Sequence, residues 1–496
     1  MLYTSTRDKS VHVTSAEAIT HGISADGGLF VPETIPQLTA NDLQRLASLN
    51  YKERAKQILS LYLTDFTADE IDRCVEGAYA DGKFSSPSIA PLVKLADGSH
   101  ILELWRGPTC AFKDMALQLL PHLLTVSAEK AAGGRQIVIL VATSGDTGKA
   151  ALEGFRDVPN TQIMVFYPSD GVSPMQKLQM TTQEGANVAV CAIEGNFDDA
   201  QTGVKKIFTD PAVAEKLAQK NKMFSSANSI NWGRLVPQVV YYVSAYCDLL
   251  AKGEIRGGDP INVVVPTGNF GNILAAYYAR EMGVPIDRLI CASNKNKVLT
   301  DFIETGVYDR RRDFYCTSSP SMDILISSNL ERLLFLLSGM DDVQTREWMQ
   351  SLSEKGVYDV GETMREKIQS VFYGGFCDEN ATKELIGAVY SEEQYLCDTH
   401  TAVAVRVYRD YRAATGDETP AVIASTASPY KFSKTVLAAV APDVQAKDEF
   451  AMVDALHEKT GFPCPQQLLE LKNKTVRFTD ICTRDTMEDA VLKAML

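Results

Sequence analysis

One lysine, Lys113, has neighbours that could make it chemically reactive. A Gly107–Thr109 turn precedes it, apolar residues flank it, and leucines with helical spacing follow it. Burial and the positive end of a helix both disfavour an ammonium, so we expect a lowered pKa for Lys113. A lysine that is partly neutral can form a Schiff base. The alternative is a structural lysine that buries its stem and extends its amine to water.

A glycine loop at residues 268–272 is the second candidate site. It follows the apolar strand pattern of residues 261–265 and precedes a helical pattern that runs to about Met282. Backbone N–H groups and the helix dipole at such a loop bind phosphate well. The loop lacks G-x-G-x-x-G spacing, which disfavours a dinucleotide site, and a structural turn is an open alternative. The candidate phosphate ligands are Gly268, Asn269, Phe270, Gly271 and Asn272.

Two further strand ends carry hydroxyl groups. After the strand pattern of residues 136–142, Ser144, Asp146 and Thr147 offer a loop of donors that could bind a carboxylate. Simple capping of the next helix by Asp146 or Thr147 is the alternative. Thr426 follows the strand pattern of residues 421–424 and could offer a neutral hydroxyl to a buried ligand nitrogen, or merely cap the strand.

These loops are positioned by alternating strand and helix patterns. That order predicts a parallel sheet with right-handed crossovers, and such open sheets bind ligands at the carboxyl ends of their strands. A long helix is expected at Trp232–Ala251, and Pro121 should kink or restart the helix that follows Lys113. Strands are predicted at residues 136–142, 162–167, 187–193, 261–265, 288–292 and 421–424.

The chain is too long for one hydrophobic core, so three units are predicted. Residues 1–95 form a small N-terminal domain that is α/β or mostly helical. Residues 96–225 form a smaller α/β domain that carries Lys113 and the Ser144–Thr147 loop. Residues 226–496 form a larger α/β domain that carries the glycine loop and Thr426.

Composition excludes several classes of partner. The 49 basic and 63 acidic residues give a net charge of −14, which disfavours nucleic acid and anionic membranes. The ten cysteines show no C-x-x-C spacing and the six histidines no H-x-x-x-H, so no metal site is expected. The first residues are polar and no apolar run approaches the ~18 residues of a membrane span, so a cytoplasmic protein is expected.

Taken together, these features suit pyridoxal phosphate. Its aldehyde would bond to Lys113, its phosphate would lie on the glycine loop, and its ring nitrogen would face Thr426. The carboxylate of an amino-acid substrate would then bind the Ser144–Thr147 loop.

The chain closely resembles the threonine synthases, a family of pyridoxal-phosphate enzymes of the tryptophan-synthase-β-like group (fold type II). The likeness covers nearly the whole chain in the right order. One departure is Ser428, where many members carry histidine. The stretches that carry the resemblance are residues 26–32, 107–114, 144–148, 228–234, 268–272 and 425–432.

The resemblance implies an α/β, parallel-sheet fold of type II with two α/β domains and a small N-terminal domain. It also implies conversion of O-phospho-L-homoserine and water to L-threonine and phosphate, with Lys113 as general base. Thr426 beside the ring nitrogen would leave that nitrogen largely unprotonated and disfavour transamination. The protein would be a monomer or homodimer. Candidate ligands of the substrate carboxylate are Ser144, Asp146 and Thr147; those of the substrate phosphate are Arg234 and Lys177, with Ser229, Asn231 and Lys431 weaker.

Three other functions are compatible with parts of the pattern. A pyridoxal-phosphate lyase or dehydratase could act on a hydroxy- or phospho-amino acid without adding water. A nucleotide-dependent oxidoreductase could use the same strand–glycine–helix loops. A non-catalytic relative could keep the fold as a binding module, but it would have no physical need for the intact lysine and phosphate loop. Lys177 could also be an ordinary solvated helix lysine.

Overall fold

The computed structural model describes residues 1–143, 145–169 and 172–496. Ser144, Asp170 and Gly171 lie outside these ranges. The strands of the described residues are β1 (Tyr3–Ser5), β2 (Phe30–Pro32), β3 (Leu92–Lys94), β4 (His100–Glu103), β5 (Gln136–Ala142), β6 (Thr161–Pro168), β7 (Val188–Glu194), β8 (Lys222–Ser225), β9 (Ile261–Pro266), β10 (Ile286–Ser293), β11 (Val307–Asp309), β12 (Val357–Asp359), β13 (Phe372–Phe376), β14 (Ala421–Ser425) and β15 (Ile481–Thr483).

Helices alternate with these strands through most of the chain. They are α1 (Ser15–His21), α2 (Ala40–Ala47), α3 (Tyr51–Tyr62), α4 (Ala68–Ala78), α5 (Asp114–Leu117), α6 (Leu120–Ala131), α7 (Asp146–Phe155), α8 (Pro174–Thr181), α9 (Phe197–Phe208), α10 (Pro211–Gln219), α11 (Trp232–Ala251), α12 (Gly271–Glu281), α13 (Val298–Thr305), α14 (Leu330–Leu337), α15 (Asp342–Lys355), α16 (Glu362–Val371), α17 (Glu379–Glu393), α18 (Thr399–Thr415), α19 (Ser433–Val440), α20 (Glu449–Thr460), α21 (Gln466–Leu469) and α22 (Met487–Met495).

The larger sheet brings three of the candidate loops to one edge. Its strand order is β13-β10-β9-β14-β4-β3, and only β3 is antiparallel to its neighbour. The central strands β9 and β14 are buried along their whole length, as expected for strands covered by helices on both faces. The glycine loop, Thr426 and the segment before Lys113 follow the adjacent strands β9, β14 and β4, so they meet at the carboxyl edge of this sheet.

The smaller sheet is parallel throughout, in the order β15-β7-β6-β5-β8. The loop before α7 leaves the carboxyl end of β5. The sheets do not follow the predicted domain edges, because β3 and β4 pair with the larger sheet and the late strand β15 pairs with the smaller one. Each sheet thus combines strands from distant parts of the chain. The division into three contiguous domains remains a prediction.

The N-terminal unit combines α1–α4 with the antiparallel pair β1–β2, and it packs on the long helix α11. Polar contacts fix this docking. Asn231 Nδ2 donates to the carbonyl oxygen of Ile19 (3.0 Å), and the buried Arg332 donates to that of Phe30 (3.0 Å). Arg7 forms an ion pair with Glu331 at 2.7 Å. The unit thus contacts both the start of α11 and the helix α14.

Several local predictions are confirmed. The strand at residues 136–142 and the helix at residues 232–251 have the predicted bounds. The helix after Lys113 is interrupted between α5 and α6, where Pro121 occupies the first turn of α6, which tolerates a residue without an N–H donor. Across the described ranges, no helix combines the length and apolarity needed to cross a membrane.

Candidate active site

Lys113 lies beside Thr426 because two distant segments pair with each other. The N–H of Phe112 donates to the carbonyl oxygen of Thr426 (2.8 Å), and the N–H of Ser428 donates to that of Cys110 (3.0 Å). Residues 110–112 therefore lie along the end of β14, and Lys113 follows as the N-cap residue of the short helix α5. The pairing places the lysine at the carboxyl edge of the larger sheet.

The amine of Lys113 is surrounded by protein and by other charges. Its Nζ donates to Ser321 Oγ at 3.2 Å. The pKa of Lys113 is lowered to about 8, chiefly by burial; the positive charges of Lys431 and Arg234 also lower it, and the carboxylates of Asp146 and Asp114 partly oppose them. This is the expected direction, and it gives the amine a larger neutral fraction at neutral pH than an exposed lysine has.

The glycine loop presents free backbone donors. Its carbonyl groups face the protein: Ser327 Oγ donates to Gly268 O (2.7 Å), and the backbone and side-chain nitrogens of Asn329 donate to Asn269 O (3.1 and 3.0 Å). Phe270 has φ 62°, a left-handed turn just before α12. Within the described residues, the N–H groups of 268–272 donate to no protein acceptor. They are thus available to a phosphate at the helix start.

Two further features suit the glycine loop to binding a ligand closely. A Cβ atom at Gly268 would lie 2.5 Å from the carbonyl oxygen of Ser321, so only glycine fits there. The Oδ1 atom of Asn272 accepts hydrogen bonds from Tyr241 and Tyr242, while its Nδ2 is buried without a partner in the described part of the chain. A buried amide donor left unpaired is costly unless a ligand accepts from it.

The loop after β5 differs from its prediction. Ser144 lies outside the described residues. Thr143, which the sequence did not single out, accepts from the N–H groups of Gly145 and Gly148 (3.0 Å each) and so shapes the turn. The Asp146 carboxylate forms a buried ion pair with Lys431 (2.6 Å); as an anion it can only accept hydrogen bonds, so its side chain does not bind a substrate carboxylate. Thr147 lies half-buried in the first turn of α7.

Arg234 is a buried cation without a carboxylate partner among the described residues. It is 4% exposed, its guanidinium donates only to the carbonyl oxygen of Ala227, and its Nε has no partner in that part of the chain. Burial lowers its pKa to about 10. A buried charge of this kind is stabilised when an anion binds beside it.

The remaining predicted substrate ligands differ in burial and in whether their polar atoms are already hydrogen-bonded. Asn231 Nδ2 donates to Ile19 O and Ser226 O, and its Oδ1 caps α11 through Gly233 N–H (2.8 Å), which leaves no free donor for a substrate. Ser229 is half-buried, and its carbonyl oxygen accepts from Asn329 Nδ2 (3.2 Å). Lys177 is exposed on α8. Of this group, only Arg234 is both buried and free to bind an anion.

The residues present fit pyridoxal phosphate. The free N–H groups of the glycine loop suit its phosphate, and Lys113, with its lowered pKa, suits the aldehyde. The Thr426 side chain is buried, and its hydroxyl makes no hydrogen bond to another described residue, so a ring nitrogen could contact it. Ser321, which touches both the lysine and the glycine loop, has no local signal in the sequence.

Three family profiles match consecutive parts of the chain. Residues 2–79 match "Threonine synthase N terminus", residues 89–426 match "Pyridoxal-phosphate dependent enzyme", and residues 401–491 match "Threonine synthase, C-terminal". The middle profile alone covers more than half of the chain. The second and third profiles overlap at residues 401–426, and the third includes the strands β14 and β15.

Individual proteins give the same result. The chain is 42% identical over 436 residues to human "Threonine synthase-like 1", covering 86% of this chain but only 58% of that relative's length. It is 38% identical over 437 residues to threonine synthase from Pseudomonas aeruginosa, covering 88% of this chain and 90% of the relative. PLP-bound threonine synthase from Brucella melitensis superimposes with a TM-score of 0.89 at 37% identity, covering 100% of this chain and 99% of that one. On this evidence, the chain belongs to the threonine synthase family of pyridoxal-phosphate-dependent enzymes.

Proposed function

We propose that the protein converts O-phospho-L-homoserine and water to L-threonine and phosphate, using pyridoxal phosphate. The observation that carries the proposal is the buried cation Arg234, which has no carboxylate partner among the described residues and whose charge lies close enough to Lys113 to lower its pKa. An amino acid with a second, anionic group would be held with its reacting carbons between the lysine and this cation. A substrate without the phosphate would leave the buried guanidinium uncompensated.

The bound cofactor supplies an electron sink, which accepts the electron pair left when the substrate α-carbon loses a proton. Lys113 provides the attachment point for the aldehyde, and its free amine takes up that proton, for which its lowered pKa suits it. A second proton is lost from Cβ, which lets the substrate phosphate leave from Cγ while Arg234 holds it. Water then supplies a hydroxyl to Cβ, and protons return to Cγ and Cα. The backbone N–H groups of Asp146 and Thr147, in the first turn of α7, are proposed to hold the substrate carboxylate together with Ser144 and the Thr147 hydroxyl.

The cysteines and the net charge bear on the cellular setting and the partners. All ten cysteines are free thiols, which supports a reducing cytoplasm. A monomer or a homodimer would carry a complete site, because every proposed ligand comes from one chain. Nucleic acid and membrane surfaces are not proposed as partners, given the net charge of −14.

The test is incubation of the purified protein with O-phospho-L-homoserine and assay of L-threonine and phosphate in equal amounts. The Lys113→Ala variant should form neither product. Formation of 2-oxobutyrate in place of threonine would instead select a lyase that adds no water. Release of phosphate alone would also contradict the proposal.

Arg234 is tested separately. The Arg234→Ala variant should raise the KM for O-phospho-L-homoserine by about tenfold to a hundredfold, as expected when a charge-assisted contact of 1.4–2.8 kcal/mol is lost, at about 1.4 kcal/mol per tenfold. Lys434→Ala serves as the control, because Lys434 is exposed and is not a proposed ligand. An unchanged KM in Arg234→Ala would remove Arg234 from the substrate site.

A further inference from the structure

We propose that Ser321 is a further positioning residue of the reaction: it orients the amine of Lys113 for proton transfer, and the pair Asp398–His400 holds Ser321 in place. This inference rests on the proposed function, because it concerns the lysine that acts as base there. None of these three residues belongs to a segment that carries the family resemblance.

The contacts form a continuous chain. Lys113 Nζ donates to Ser321 Oγ (3.2 Å), the N–H of Ser321 donates to His400 Nε2 (3.2 Å), and His400 Nδ1 meets Asp398 Oδ2 at 2.7 Å. Asp398 and His400 are buried, and the ring of Phe432 packs edge-on against the imidazole at 4.9 Å. Ser321 lies in the short 3₁₀ turn Pro320–Met322, whose carbonyl groups cover Gly268.

The donor pattern determines the tautomer of His400. A backbone N–H can only donate, so Nε2 must be the acceptor and Nδ1 must carry the proton toward Asp398. Asp398 also accepts from the N–H groups of His400 (2.9 Å) and Thr401 (3.1 Å) at the start of α18. The carboxylate therefore fixes the imidazole, and the imidazole fixes the turn that carries Ser321.

The consequence concerns the lone pair of the lysine. A neutral amine has two N–H bonds and one lone pair, and a hydrogen bond from one N–H to Ser321 Oγ restricts the directions in which the lone pair can point. Without that acceptor the amine rotates freely and spends less time aligned with the proton it must take. The effect is on the proton-transfer step and not on substrate binding.

The first experiment measures kcat and KM in the holoenzyme. Ser321→Ala should lower kcat by about tenfold and leave KM within twofold, and Ser321→Thr, which keeps a hydroxyl, should recover most of kcat. Ser318→Ala is the matched control, because Ser318 lies three residues away and its buried Oγ has no partner in the described residues. Equal losses in Ser321→Ala and Ser318→Ala would overturn the proposal.

A second experiment needs no catalysis. In the cofactor-free full chain, the pH profile of Lys113 acetylation by acetic anhydride reports the pKa of its amine. The charged groups that act on it are Asp146, Lys431, Arg234 and Asp114. Ser321→Ala removes an acceptor from the ammonium, so the midpoint should move to lower pH and labelling at pH 7 should rise about threefold. A midpoint moved to higher pH would mean that the site has merely opened to water, which would refute the role.

The Asp398–His400 pair is tested by a double-variant cycle. Asp398→Asn keeps a good helix cap but removes the charge that holds the tautomer, so kcat should fall by about threefold to tenfold. In the Ser321→Ala background the same change should have no further effect, because Asp398 acts only through Ser321. Additive losses would refute the relay. Failure of the wild-type enzyme to form threonine would refute the proposed function. The acetylation profile would still test the contact between Ser321 and the amine of Lys113.

Discussion

The ion pair between Lys431 and Asp146 offers the sharpest test of the site's electrostatics. Their side chains are 2% and 7% exposed, and Nζ and Oδ1 are 2.6 Å apart. At that distance and an effective dielectric of about 20, the Coulomb attraction is roughly 6 kcal/mol. Desolvation of both groups offsets part of it, and removal of one partner from a buried pair costs about 3–5 kcal/mol. We expect Lys431→Met to lower the free energy of unfolding by about 3–5 kcal/mol at pH 7.

The pH dependence has a definite sign. Burial raises the pKa of Asp146, but the charges of Lys431 and Lys113 outweigh it and hold this pKa well below its usual range. In the wild type the carboxylate therefore stabilises the fold above its unfolded pKa of about 4, and this contribution is lost only in stronger acid. In Lys431→Met burial dominates and the folded pKa rises, so the variant regains stability as the pH falls. The difference in the free energy of unfolding between the wild type and Lys431→Met should therefore shrink from pH 7 to pH 4.5.

The assay is urea unfolding at both pH values, followed by tryptophan fluorescence. Lys434→Met is the matched control, because Lys434 is exposed three residues further along. The double variant Lys431→Met/Asp146→Asn should recover most of the loss, since it removes the uncompensated charge. A Lys431→Met cost within about 1 kcal/mol of the control, or a cost that is equal at both pH values, would refute the reasoning.

Three other perturbations follow from the same geometry. Acetylation of Lys113 in the cofactor-free wild type should rise about tenfold per pH unit and level off near pH 8, because burial lowers its pKa to about 8; a profile that still rises at pH 10 would contradict this. Thr426→Asp should fold normally, as judged by circular dichroism, but divert substrate to transamination, and an unchanged product ratio would count against a ring-nitrogen contact. Asn231→Ala should lower the free energy of unfolding by about 2–4 kcal/mol, through the lost cap and two unpaired carbonyls, while leaving KM unchanged. A raised KM would restore the predicted substrate contact of Asn231.

Local sequence patterns predicted most of the strands and helices and the parallel order of the strands. Continuous apolar runs such as residues 136–142 have one stable use, as strands covered on both faces, and the helical stretches between them impose parallel order. Parallel order in turn brings loop ends to one edge, so the glycine loop and Thr426 could be grouped before any contact was known, whereas β4, the strand that precedes Lys113, was not predicted. Pro121 marked the restart of its helix because proline removes a backbone donor wherever it lies.

The tertiary structure alone decided which polar groups are used up and which stay free. Lys113 and Ser321 are 208 positions apart, and nothing near Ser321 predicts their contact. Asn231 and Arg234 are three positions apart, yet Asn231 caps α11 and Arg234 is a buried cation with no carboxylate partner among the described residues. The physical reason is range: periodicity and capping act over a few residues, whereas burial and pairing depend on which distant segments pack together.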